Sequence, residues 1–503
     1  THVQQAVAWK VVGYDANGDG TFTMAEKPAW LTNLSKTEGD GGTAADQGTA
    51  TLTKDVTDLL AKRNKELKEA TALGSSSAPY DLSTKGGSVN RSTANSYVIS
   101  APGHYRIPLV YGNAIENGAT NANAYISHAA TGNSNVLYNF KDHNNQNITD
   151  PWIEKTNGGA NNGVNGAEVV WADAANLVHS PSITHVGGNA FLDFEVKASE
   201  IQSGNAVVAV KKGGTIVWSW HLWFAPKDVL DKIPVTNHQG KVYNFTKETL
   251  GWKPTQWSGS TYDKARTVKV KVVQTIKNGG VAQETVINIT QNPGNVKKGA
   301  TTLYQFGRKD AFPGVDASDL AANSHFTEDA GDNMSIMNGI LNPDKFYISG
   351  SNWGNNYGYY NLWSADNTTT GYNDNSVVKT VYDPSPVGFK MPASNAFTGF
   401  TANGQNGGTM NVDGTDNWQT SQNNFGHNFW TSSSKTATIN FPASGNRNYN
   451  DGLLYSVGGF GCYWSAVPDG TYGGCVLYFN SGYVSPLFSG YRSYGFAAHP
   501  VSE

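Results

Sequence analysis

The chain of 503 residues carries a formal net charge of -4, and 15% of its residues are charged whereas 12% are aromatic. A single hydrophobic core stops growing near roughly 250 to 300 residues, so this length indicates several domains. The slightly acidic balance, without clusters of Lys and Arg, excludes a basic surface for the phosphate groups of nucleic acid.

The sequence also lacks the signals of membrane insertion and export. No apolar run reaches the roughly 18 residues of a transmembrane helix. The first residues, THVQQAVAWKVV, contain neither the basic segment nor the apolar stretch of a secretion signal. We therefore expect no transmembrane segment, and we expect the sequence to begin at a mature or truncated end.

The first motif in the chain, DANGDGTFTMAE, fits the twelve-residue template of a calcium-binding loop. The preceding residues alternate like a strand and Pro28 disturbs the exit, so a paired EF-hand is not expected. Two interpretations stay open, namely one structural Ca²⁺ and a solvated turn made by Asx and Gly residues. In the calcium interpretation Gly20 makes the turn, and the oxygen ligands come from Asp15, Asn17, Asp19, the Thr21 carbonyl and bidentate Glu26.

Apolar residues at helical spacing predict a helix between Thr53 and Ala70, with its charged face in solvent. These apolar residues are Val56, Leu59, Leu60 and Leu67. The following stretch, 74–96, is rich in Ser, Gly and Thr, which predicts a linker and a domain boundary.

Seven short strand-like runs then follow, separated by turn residues. With 56 glycines in the chain, this pattern predicts a β-sandwich. The last two runs form a hairpin in which Trp218, Trp220 and Leu222 share one face. His221 lies on the other face, where a lone histidine is more often a packed or surface residue than a ligand. The predicted strands are 96–100, 104–112, 167–173, 182–187, 190–197, 205–212 and 215–224.

A further hairpin is predicted from two alternating runs, RTVKVKVVQTI and QETVINITQN, joined by KNGGVA. From Leu303 onward the composition changes to dense Gly, Asn, Tyr and Trp with few aliphatic residues. Such a segment cannot bury an aliphatic core, so its order must come from aromatic packing and hydrogen bonds of the loops. A second large domain is expected to begin here.

The two cysteines, Cys462 and Cys475, flank a predicted turn at Pro468-Asp469. A two-residue turn places the thiols opposite each other, within reach of a disulfide. The Pro-Asp-Gly sequence also favours a type I turn with a glycine bulge, and that shift of one residue sends the thiols to opposite faces. The sequence leaves a disulfide and two free thiols open.

The terminal run, Gly461 to Val501, alternates aromatic and small residues in three strand-like segments. We expect Trp464, Phe479 and Phe496 to be core. Aromatic residues in turns are costly to solvate and useful for binding, so this run contains the candidate ligand surface. The alternative is that half of them pack inward. The candidate ligand-binding residues are Asp469, Tyr472, Tyr483, Ser485, Phe488 and Tyr491.

The motifs of common enzyme families are absent from the sequence. There is no GxSxG, no HExxH, no Walker A and no nucleotide-type GxGxxG. The 11 histidines are scattered singly. We therefore expect no enzymatic activity.

Six motifs follow one another in the second half: FGRKD (306–310), YNLWS (360–364), DPSPVGFKMP (383–392), FPASGNR (441–447), YWSA (463–466) and LYFN (477–480). In this order they resemble the C-type-lectin-like domain at the C-terminus of Bacteroidetes surface proteins. Five motifs upstream, NSYVI (95–99), APGHY (101–105), PLVYGN (108–113), VW (170–171) and WSWH (218–221), resemble the fimbrillin-family module that usually precedes it.

The resemblance implies a mainly β fold with an α+β C-terminal domain. A Greek-key β-sandwich of the transthyretin-like fimbrillin type would be followed by the C-type-lectin-like domain. The predicted division is an N-terminal segment with the calcium-loop-like turn and one helix (1–92), the sandwich with its terminal hairpin (93–298), and the lectin-like domain (299–503).

In function, the resemblance implies a Bacteroidales protein that is a lipoprotein in its precursor form and a minor or tip subunit of fimbriae at the cell surface. Such subunits join others by β-strand addition, and the lectin-like domain would bind a glycan or a host or bacterial surface protein. The alternative is a surface glycan-binding lipoprotein of a polysaccharide-uptake system. The Glu-Pro-Asn, Gln-Pro-Asp and Trp-Asn-Asp triplets of calcium-dependent lectins are absent, so no cofactor is expected at that site.

Overall fold

The computed structural model describes residues 5–275, 282–349, 353–414 and 426–503. Strands account for 38% of the chain and helices for 10%, which confirms the prediction of a mainly β protein. Across these described ranges, no helix has the length and apolar character needed to cross a membrane. All but one residue of the predicted turn KNGGVA lies outside them.

Thirty strands lie in the described residues. Strands β1 to β10 are Trp9–Asp15, Leu31–Leu34, Glu38–Gly39, Ala50–Leu52, Val56–Asp58, Tyr80–Asp81, Ser96–Ile99, Gly103–Pro108, Ile115–Glu116 and Ala119–Thr120. Strands β11 to β20 are Gly166–Ala172, His179–Val186, Asn189–Val196, Gly204–Lys212, Thr215–Phe224, Lys232–Thr236, Val242–Thr246, Lys253–Ser260, Arg266–Gln274 and Glu284–Gln291. Strands β21 to β30 are Asn295–Ala300, Phe389–Lys390, His427–Trp430, Thr438–Phe441, Asn446–Arg447, Leu454–Tyr455, Phe460–Asp469, Gly473–Asn480, Tyr483–Tyr491 and Val501–Ser502.

The helices are few and short. Helices α1 to α4 are Leu59–Glu69, Thr156–Gly159, Ile336–Leu341 and Trp353–Tyr357. Short 3-10 helices are Met24–Glu26, Ala122–Ala124, Lys227–Leu230, Ala317–Asp319 and Ser394–Phe400. The Ser335 hydroxyl caps α3 by accepting a hydrogen bond from the backbone N–H of Asn338, which satisfies one free donor of the first turn.

The contacts divide the chain into two compact units. Unit 1 comprises Thr1–Leu59 and Trp257–Val296, and unit 2 comprises Leu60–Gln256 and Lys297–Glu503. Each unit is therefore built from two separate stretches of sequence.

This grouping differs from the predicted division at two places. The hairpin of β19 and β20 belongs to unit 1, whereas the sequence assigned it to the sandwich of 93–298. The predicted linker, 74–96, lies inside unit 2, where it contributes β6 and the buried carboxylate of Asp81. Asp81 is ion-paired to Arg91 at 2.9 Å, so this stretch is ordered by charge pairing and is not a boundary.

Unit 1 contains a four-stranded sheet in the order β20-β19-β1-β3. Alternation along β19 places Val268 and Val270 on its buried face, and Val270 pairs with Tyr14 of β1. These residues and Leu31 form a small core of their own. The hairpin packs with the N-terminal strands because only they cover this apolar face within the unit.

The predicted helix begins later than expected. Residues Val56–Asp58 form strand β5, and the helix starts at Leu59. Its charged face is also not wholly in solvent. Arg63 is 5% exposed, and its guanidinium makes a two-pronged ion pair with Glu248 at 2.7 and 2.8 Å. Buried bidentate pairing of this kind fixes geometry more strongly than a surface ion pair.

The seven predicted strands of the sandwich are all present in unit 2. Together with β6, they form two four-stranded sheets, in the orders β11-β14-β15-β7 and β12-β13-β8-β6. The hairpin of β14 and β15 turns at Gly213 and Gly214, both of which have positive φ. The buried side chains of both sheets belong to one hydrophobic core.

His221 of β15 is a packed core residue, as expected of a lone histidine. It is 2% exposed, and its Nε2 donates to Oδ1 of Asn205 at 2.8 Å. Its Nδ1 lies 3.2 Å from the Ser96 hydroxyl. Burial lowers the pKa of His221 to about 3, so the ring is neutral and serves to connect β15, β14 and β7.

The residues predicted to form the second domain share unit 2 with the two sheets. Asn95 donates to the backbone carbonyls of Val381 and Asp383, and Trp171 donates to that of Ala311. Strand β30, at the end of the chain, lies between β17 and β22 in a sheet ordered β16-β17-β30-β22. The chain passes from unit 1 to unit 2 between Val296 and Lys297, two residues before the predicted boundary at 298/299, but the two predicted domains otherwise share unit 2.

Order in the aliphatic-poor region does come from aromatic packing and loop hydrogen bonds, as the composition predicts. Arg492 is fully buried, and its guanidinium donates to the carbonyls of Gly473, Tyr357, Tyr359 and Gly470 at 2.7 to 3.3 Å. Its guanidinium carbon also lies 4.8 Å from the ring centre of Phe306. One side chain thus ties three loops together.

We expect Arg492→Met to lower the free energy of unfolding by about 3 kcal/mol, because four buried carbonyls lose a charged donor. Urea unfolding followed by tryptophan fluorescence measures the change. Lys212→Met is the matched control, since Lys212 is exposed and its replacement should cost no more than about 0.5 kcal/mol. Equal stability of the two variants would contradict the role given to Arg492.

A second prediction concerns His499, which is fully buried and donates through Nε2 to the Thr246 carbonyl at 2.7 Å. Burial lowers the pKa of His499 to about 3. Below about pH 6.5 the His499 ring is protonated in the unfolded chain but stays neutral in the folded chain. The free energy of unfolding therefore falls toward pH 3, by up to about 1.4 kcal/mol per pH unit.

The measurement is the dependence of unfolding free energy on pH between 4 and 6. His499→Gln should make the slope of unfolding free energy against pH shallower. His325→Gln, at an exposed position, should leave this slope unchanged. Burial raises the pKa of Asp173 and Asp383, which act in the opposite direction, so the difference between each variant and the parent is the quantity compared. An unchanged slope in His499→Gln would contradict the prediction.

Candidate functional site

The last long strands form a three-stranded antiparallel sheet in the order β27-β28-β29, which we call the terminal sheet. Trp464, Phe479 and Phe496 are buried, as the sequence predicts. The indole of Trp464 donates to the Tyr304 carbonyl at 2.6 Å and packs against the rings of Phe306 and Phe496. Aromatic core packing therefore holds both faces of the terminal sheet, since Trp464 and Phe479 lie on opposite faces in the strand register.

The turn between β27 and β28 differs from both predicted registers. Asp469 pairs with Gly473, and the turn consists of the three residues between them. Gly470 opens this turn with φ of 70°, a left-handed conformation that suits glycine. The prediction of a turn at Pro468-Asp469 is wrong because both residues remain in β27. A bulge between Trp464 and Pro468 shifts the register again.

The disulfide, one of the two alternatives for the cysteines, is not formed. The register places Cys462 opposite Tyr478 and Cys475 opposite Ser489, and both thiols are free and buried. Burial raises the pKa of both thiols, that of Cys475 to about 12. The thiols are therefore protonated and serve as small core side chains.

We expect native protein to show no reaction with a thiol reagent, and unfolded protein to show two reactive thiols without prior reduction. Burial shields both sulfurs in the folded state, and no bridge has to be broken in the unfolded state. Thiol titration in buffer and in guanidinium measures this. A requirement for reductant before the thiols react would contradict the free state.

The four candidate aromatic residues of the terminal run are exposed. The exposed fractions are 51% for Tyr472, 41% for Tyr483, 42% for Phe488 and 54% for Tyr491. The alternative in which half of them pack inward is therefore wrong. Aromatic side chains of this size are seldom exposed together without a binding role.

Three of these four aromatic residues open onto one cavity of about 610 Å³ on the terminal sheet, which we call the aromatic cradle. Asp469 also lines it, so the structure brings together four of the six candidate residues. The complete lining is Asn446, Phe460, Cys462, Asp469, Tyr472, Gly473, Tyr478, Phe488, Ser489, Gly490, Tyr491, Tyr494 and Phe496.

One side of the aromatic cradle is a row of rings that crosses the terminal sheet. Phe460 of β27, Tyr478 of β28 and Phe488 of β29 have neighbouring ring centres 5.6 and 5.3 Å apart. The carbonyl of Phe488 accepts a hydrogen bond from the Tyr372 hydroxyl, which holds the edge strand in place. The row is therefore supported by backbone pairing at every strand.

The other side is a stack formed by the last residue of β29 and residues that follow this strand. Tyr491, Tyr494 and Phe496 are nearly parallel, with interplanar angles of 11° and 15° between successive rings. Tyr449 packs against Tyr491 and Tyr494 with ring centres 5.0 and 4.8 Å away. This stack links the exposed Tyr491 to the core through Phe496 and so restricts its motion.

Small residues keep the space between these two groups open. A Cβ atom on Gly490 would lie 2.5 Å from the Phe496 ring, and one on Gly473 would lie 2.7 Å from the Asp469 carbonyl oxygen. Ser489 provides a hydroxyl beside them. The cavity thus depends on glycine at positions where a side chain would displace its walls.

Two of the candidate ligand-binding residues lie outside the aromatic cradle. Ser485 is buried and donates to the Tyr483 hydroxyl at 3.3 Å. Tyr483 packs over Gly407, where a Cβ would lie 2.9 Å from its ring. Both residues sit at the opposite end of β29 from Tyr491, so sequence proximity placed them in the wrong group.

Four aromatic residues of the cradle were not among the candidates: Phe460, Tyr478, Tyr494 and Phe496. Phe496 was predicted only as core, and it forms the inner end of the stack. Tyr494 follows β29 and belongs to no strand pattern. The signal for Phe460 and Tyr478 was the period-two alternation of β27 and β28, which places Phe460 and Cys462 on one face. Without the register, this alternation does not tell which face is exposed.

The candidate calcium loop has its side-chain oxygens turned toward its own backbone. Asp15 is 1% exposed, and its carboxylate accepts from the N–H groups of Gly18 and Gly20 at 2.6 and 3.0 Å. Asn17, Asp19 and Glu26 likewise accept from N–H groups of the loop. A turn of Asx and Gly residues has this pattern.

Within the described ranges, no group of three or more His, Cys, Asp and Glu side chains is placed to hold a metal ion. Thr21, whose carbonyl is the remaining candidate ligand, donates its backbone N–H to the Asp19 carboxylate at 2.7 Å. The geometry matches the solvated-turn interpretation, and calcium binding by the loop stays a prediction.

Unit 2 contains a second large concavity, which the sequence did not predict. It is a groove of about 990 Å³ along strand β7, between α1, β6 and the segment around β22. We call it the β7 groove. Its apolar lining includes Leu67, Leu73, Tyr80, Tyr97, Val98, Leu230, Val387 and Phe389.

Strand β7 is the last strand of its sheet, and one of its edges faces the β7 groove. The carbonyls of Asn95 and Ile99 accept hydrogen bonds from His221 of β15 and from Ala225 directly after it. The alternate residues Ser96 and Val98 therefore direct their backbone groups away from that sheet. Ser96 forms an isolated bridge with Pro386. Val98 lies beyond this bridge and faces the groove.

The fold and these two concavities define a mainly β protein with an exposed aromatic cavity and an open strand edge. Comparison with known proteins adds no relative: no family model, no curated protein and no solved structure matches the chain.

Proposed function

We propose that this protein is a cell-surface adhesin, a minor or tip subunit of Bacteroidales fimbriae that binds a glycan or a surface protein through the aromatic cradle. The aromatic cradle is the observation that carries the proposal. It gathers four predicted ligand-binding residues in the part of the chain that resembles a C-type-lectin-like domain. The Greek-key fimbrillin and lectin-like assignments belong to the same proposal.

The β7 groove supports the fimbrial part of the proposal. Subunits that assemble by β-strand addition need an unpaired edge beside an apolar groove, so that backbone hydrogen bonds and alternate side chains both contribute. Val98 offers such an edge, and the groove of about 990 Å³ offers the apolar surface. A strand from a neighbouring subunit would extend the sheet next to β7.

The second candidate function is that of a surface glycan-binding lipoprotein of a polysaccharide-uptake system. Such a protein would bind glycan through the aromatic cradle and would not bind another subunit through the β7 groove. The two functions therefore differ in whether the β7 edge joins another protein. The experiments below test the two surfaces separately.

For the aromatic cradle, we expect the triple variant Tyr472→Ala, Phe488→Ala, Tyr491→Ala to lose binding by about 100-fold or more. Exposed aromatic residues clustered in one cavity act as energetic hot spots, each worth about 2 kcal/mol. Binding is measured on a glycan array and on a panel of immobilised extracellular-matrix proteins.

Tyr483→Ala is the matched control, because Tyr483 is an exposed aromatic residue of the same strand outside the aromatic cradle. It should bind as the parent does. Full binding by the triple variant, with loss in Tyr483→Ala, would move the ligand surface elsewhere.

For the β7 groove, we expect the parent to form a stable complex with a purified fimbrial stalk subunit, and Val98→Pro to lose it. Proline removes the N–H that an added strand needs and is tolerated at a strand edge. Val98→Thr keeps the N–H and is the control. Size-exclusion chromatography measures the complex, and circular dichroism checks that the variants are folded. Absence of any complex with the parent, together with saturable polysaccharide binding, would favour the uptake lipoprotein.

A further inference from the structure

We propose that the aromatic cradle binds a neutral carbohydrate, with a sugar ring stacked on its aromatic walls and without a calcium bridge. This inference rests on the proposed function, because it names the ligand class of the same site. Shape, ring arrangement, an unpaired acceptor and charge each bear on the ligand class.

The first argument is size. A cavity of about 610 Å³ is in the range that holds small ligands, roughly 300 to 1,000 Å³. A protein partner instead requires a contact of about 800 Å² on each side, over a much broader surface. The aromatic cradle therefore fits a short oligosaccharide or the end of a glycan better than a protein surface.

The second argument is the ring arrangement. The row of Phe460, Tyr478 and Phe488 and the stack of Tyr491 and Tyr494 both line the cavity. Aromatic faces carry partial negative charge, and the C–H groups on one face of a pyranose carry partial positive charge, so the two surfaces attract each other. Hydroxyl groups at the ring edge of the sugar remain free to form hydrogen bonds.

The third argument is an unpaired polar atom. The Asn446 side chain is 8% exposed and lines the aromatic cradle, and its Oδ1 is buried without a hydrogen-bond partner in the described part of the chain. A buried acceptor of this kind is costly unless a donor reaches it. A sugar hydroxyl is a donor of suitable size.

Tyrosine hydroxyls provide further polar partners at the open side. Among the described residues, Tyr472, Tyr491 and Tyr494 have no hydrogen bond to their hydroxyl groups, although all three line the cavity. Each hydroxyl can both donate and accept, which matches the paired character of sugar hydroxyls. The polar groups of the cradle thus suit a ligand rich in neutral hydroxyls.

The fourth argument is charge. Asp469 is the one charged residue in the described lining, and its carboxylate accepts hydrogen bonds from hydroxyls while repelling anions. Arg492 follows Tyr491 in the sequence but does not line the cavity. Its guanidinium is fully buried and donates to four backbone carbonyls, so it cannot bind an anionic sugar. The cradle should therefore favour neutral glycans over sialylated or sulfated ones.

The test uses the full chain on an array of neutral oligosaccharides and their sialylated and sulfated counterparts, with EDTA present. We expect binding to neutral members, unchanged by EDTA, and weaker binding to the acidic counterparts. Asn446→Ala should weaken neutral binding about tenfold, because the sugar loses its acceptor. Asp469→Asn should raise the binding of acidic relative to neutral members.

The triple variant and Tyr483→Ala are measured on the same array, so that the position of the site and the ligand class are tested together. Binding that the triple variant loses, but that is confined to sialylated or sulfated glycans or to deglycosylated proteins, would overturn the ligand class and keep the adhesin proposal. Binding that needs calcium would also overturn it. No binding to glycans or matrix proteins, or binding unaffected by the triple variant, would overturn both proposals.

Discussion

Buried arginines that donate to backbone carbonyls hold the second half of unit 2 together. Arg492 donates to four carbonyls, and Arg447 donates to those of Pro313, Val315 and Gly452. Long loops without a sheet or helix leave many carbonyls without donors. A guanidinium offers five donors in one plane, so one side chain satisfies several loops at once.

Arg308 follows the same principle near the start of this region. Its guanidinium donates to the carbonyls of Lys345, Gly339 and Asn342, and it pairs with Asp310 at 3.1 Å. Burying a charge is costly, and this cost is offset only when the hydrogen bonds are nearly complete. The loops and the arginines therefore require each other, and aromatic rings fill the space that aliphatic residues would otherwise occupy.

This use of aromatic residues also explains how a binding cavity arises on the terminal sheet. Alternation along β27 and β28 sends Tyr463 and Phe479 into the core on one face and places Phe460 and Tyr478 on the other. The outer row is held by the same backbone pairs that fix the inner face. The cradle lies on the opposite face of this sheet from Phe479, and the stack ending at Phe496 packs against Trp464, which is buried on the cradle's own face.

The sequence predicted those features that depend on local patterns. The seven sandwich strands follow from period-two alternation, and the exposure of Tyr472 and Tyr491 follows from their places in or beside turns. Phe488 is exposed for another reason, since it lies within the edge strand β29. The turn at Pro468-Asp469 was predicted wrongly, because the choice among short turns depends on the pairing of the whole strand, which includes a bulge. For the same reason the sequence left a disulfide and two free thiols open, and the register decides for free thiols.

Features built from distant segments could not be predicted. The β7 groove is lined by residues from Glu66 to Phe389, and no local pattern connects them. The hairpin of β19 and β20 pairs with β1, some 250 residues earlier in the chain, which its own alternation does not reveal. The burial of Arg492 could not be predicted either, since nothing in the sequence around a single arginine among tyrosines indicates that it is buried.

The position of strand β30 has a consequence for how the chain folds. Val501 pairs with Phe245 and with Lys390, and the N–H of Leu250 donates to the Ala498 carbonyl. Because a ribosome makes Val501 some 250 residues after Phe245, the apolar surface around Phe245 stays uncovered until Val501 has been synthesised. Contacts that close so long a loop form slowly. Until β30 pairs, the nascent chain exposes an unpaired strand edge and apolar surface, which favours aggregation.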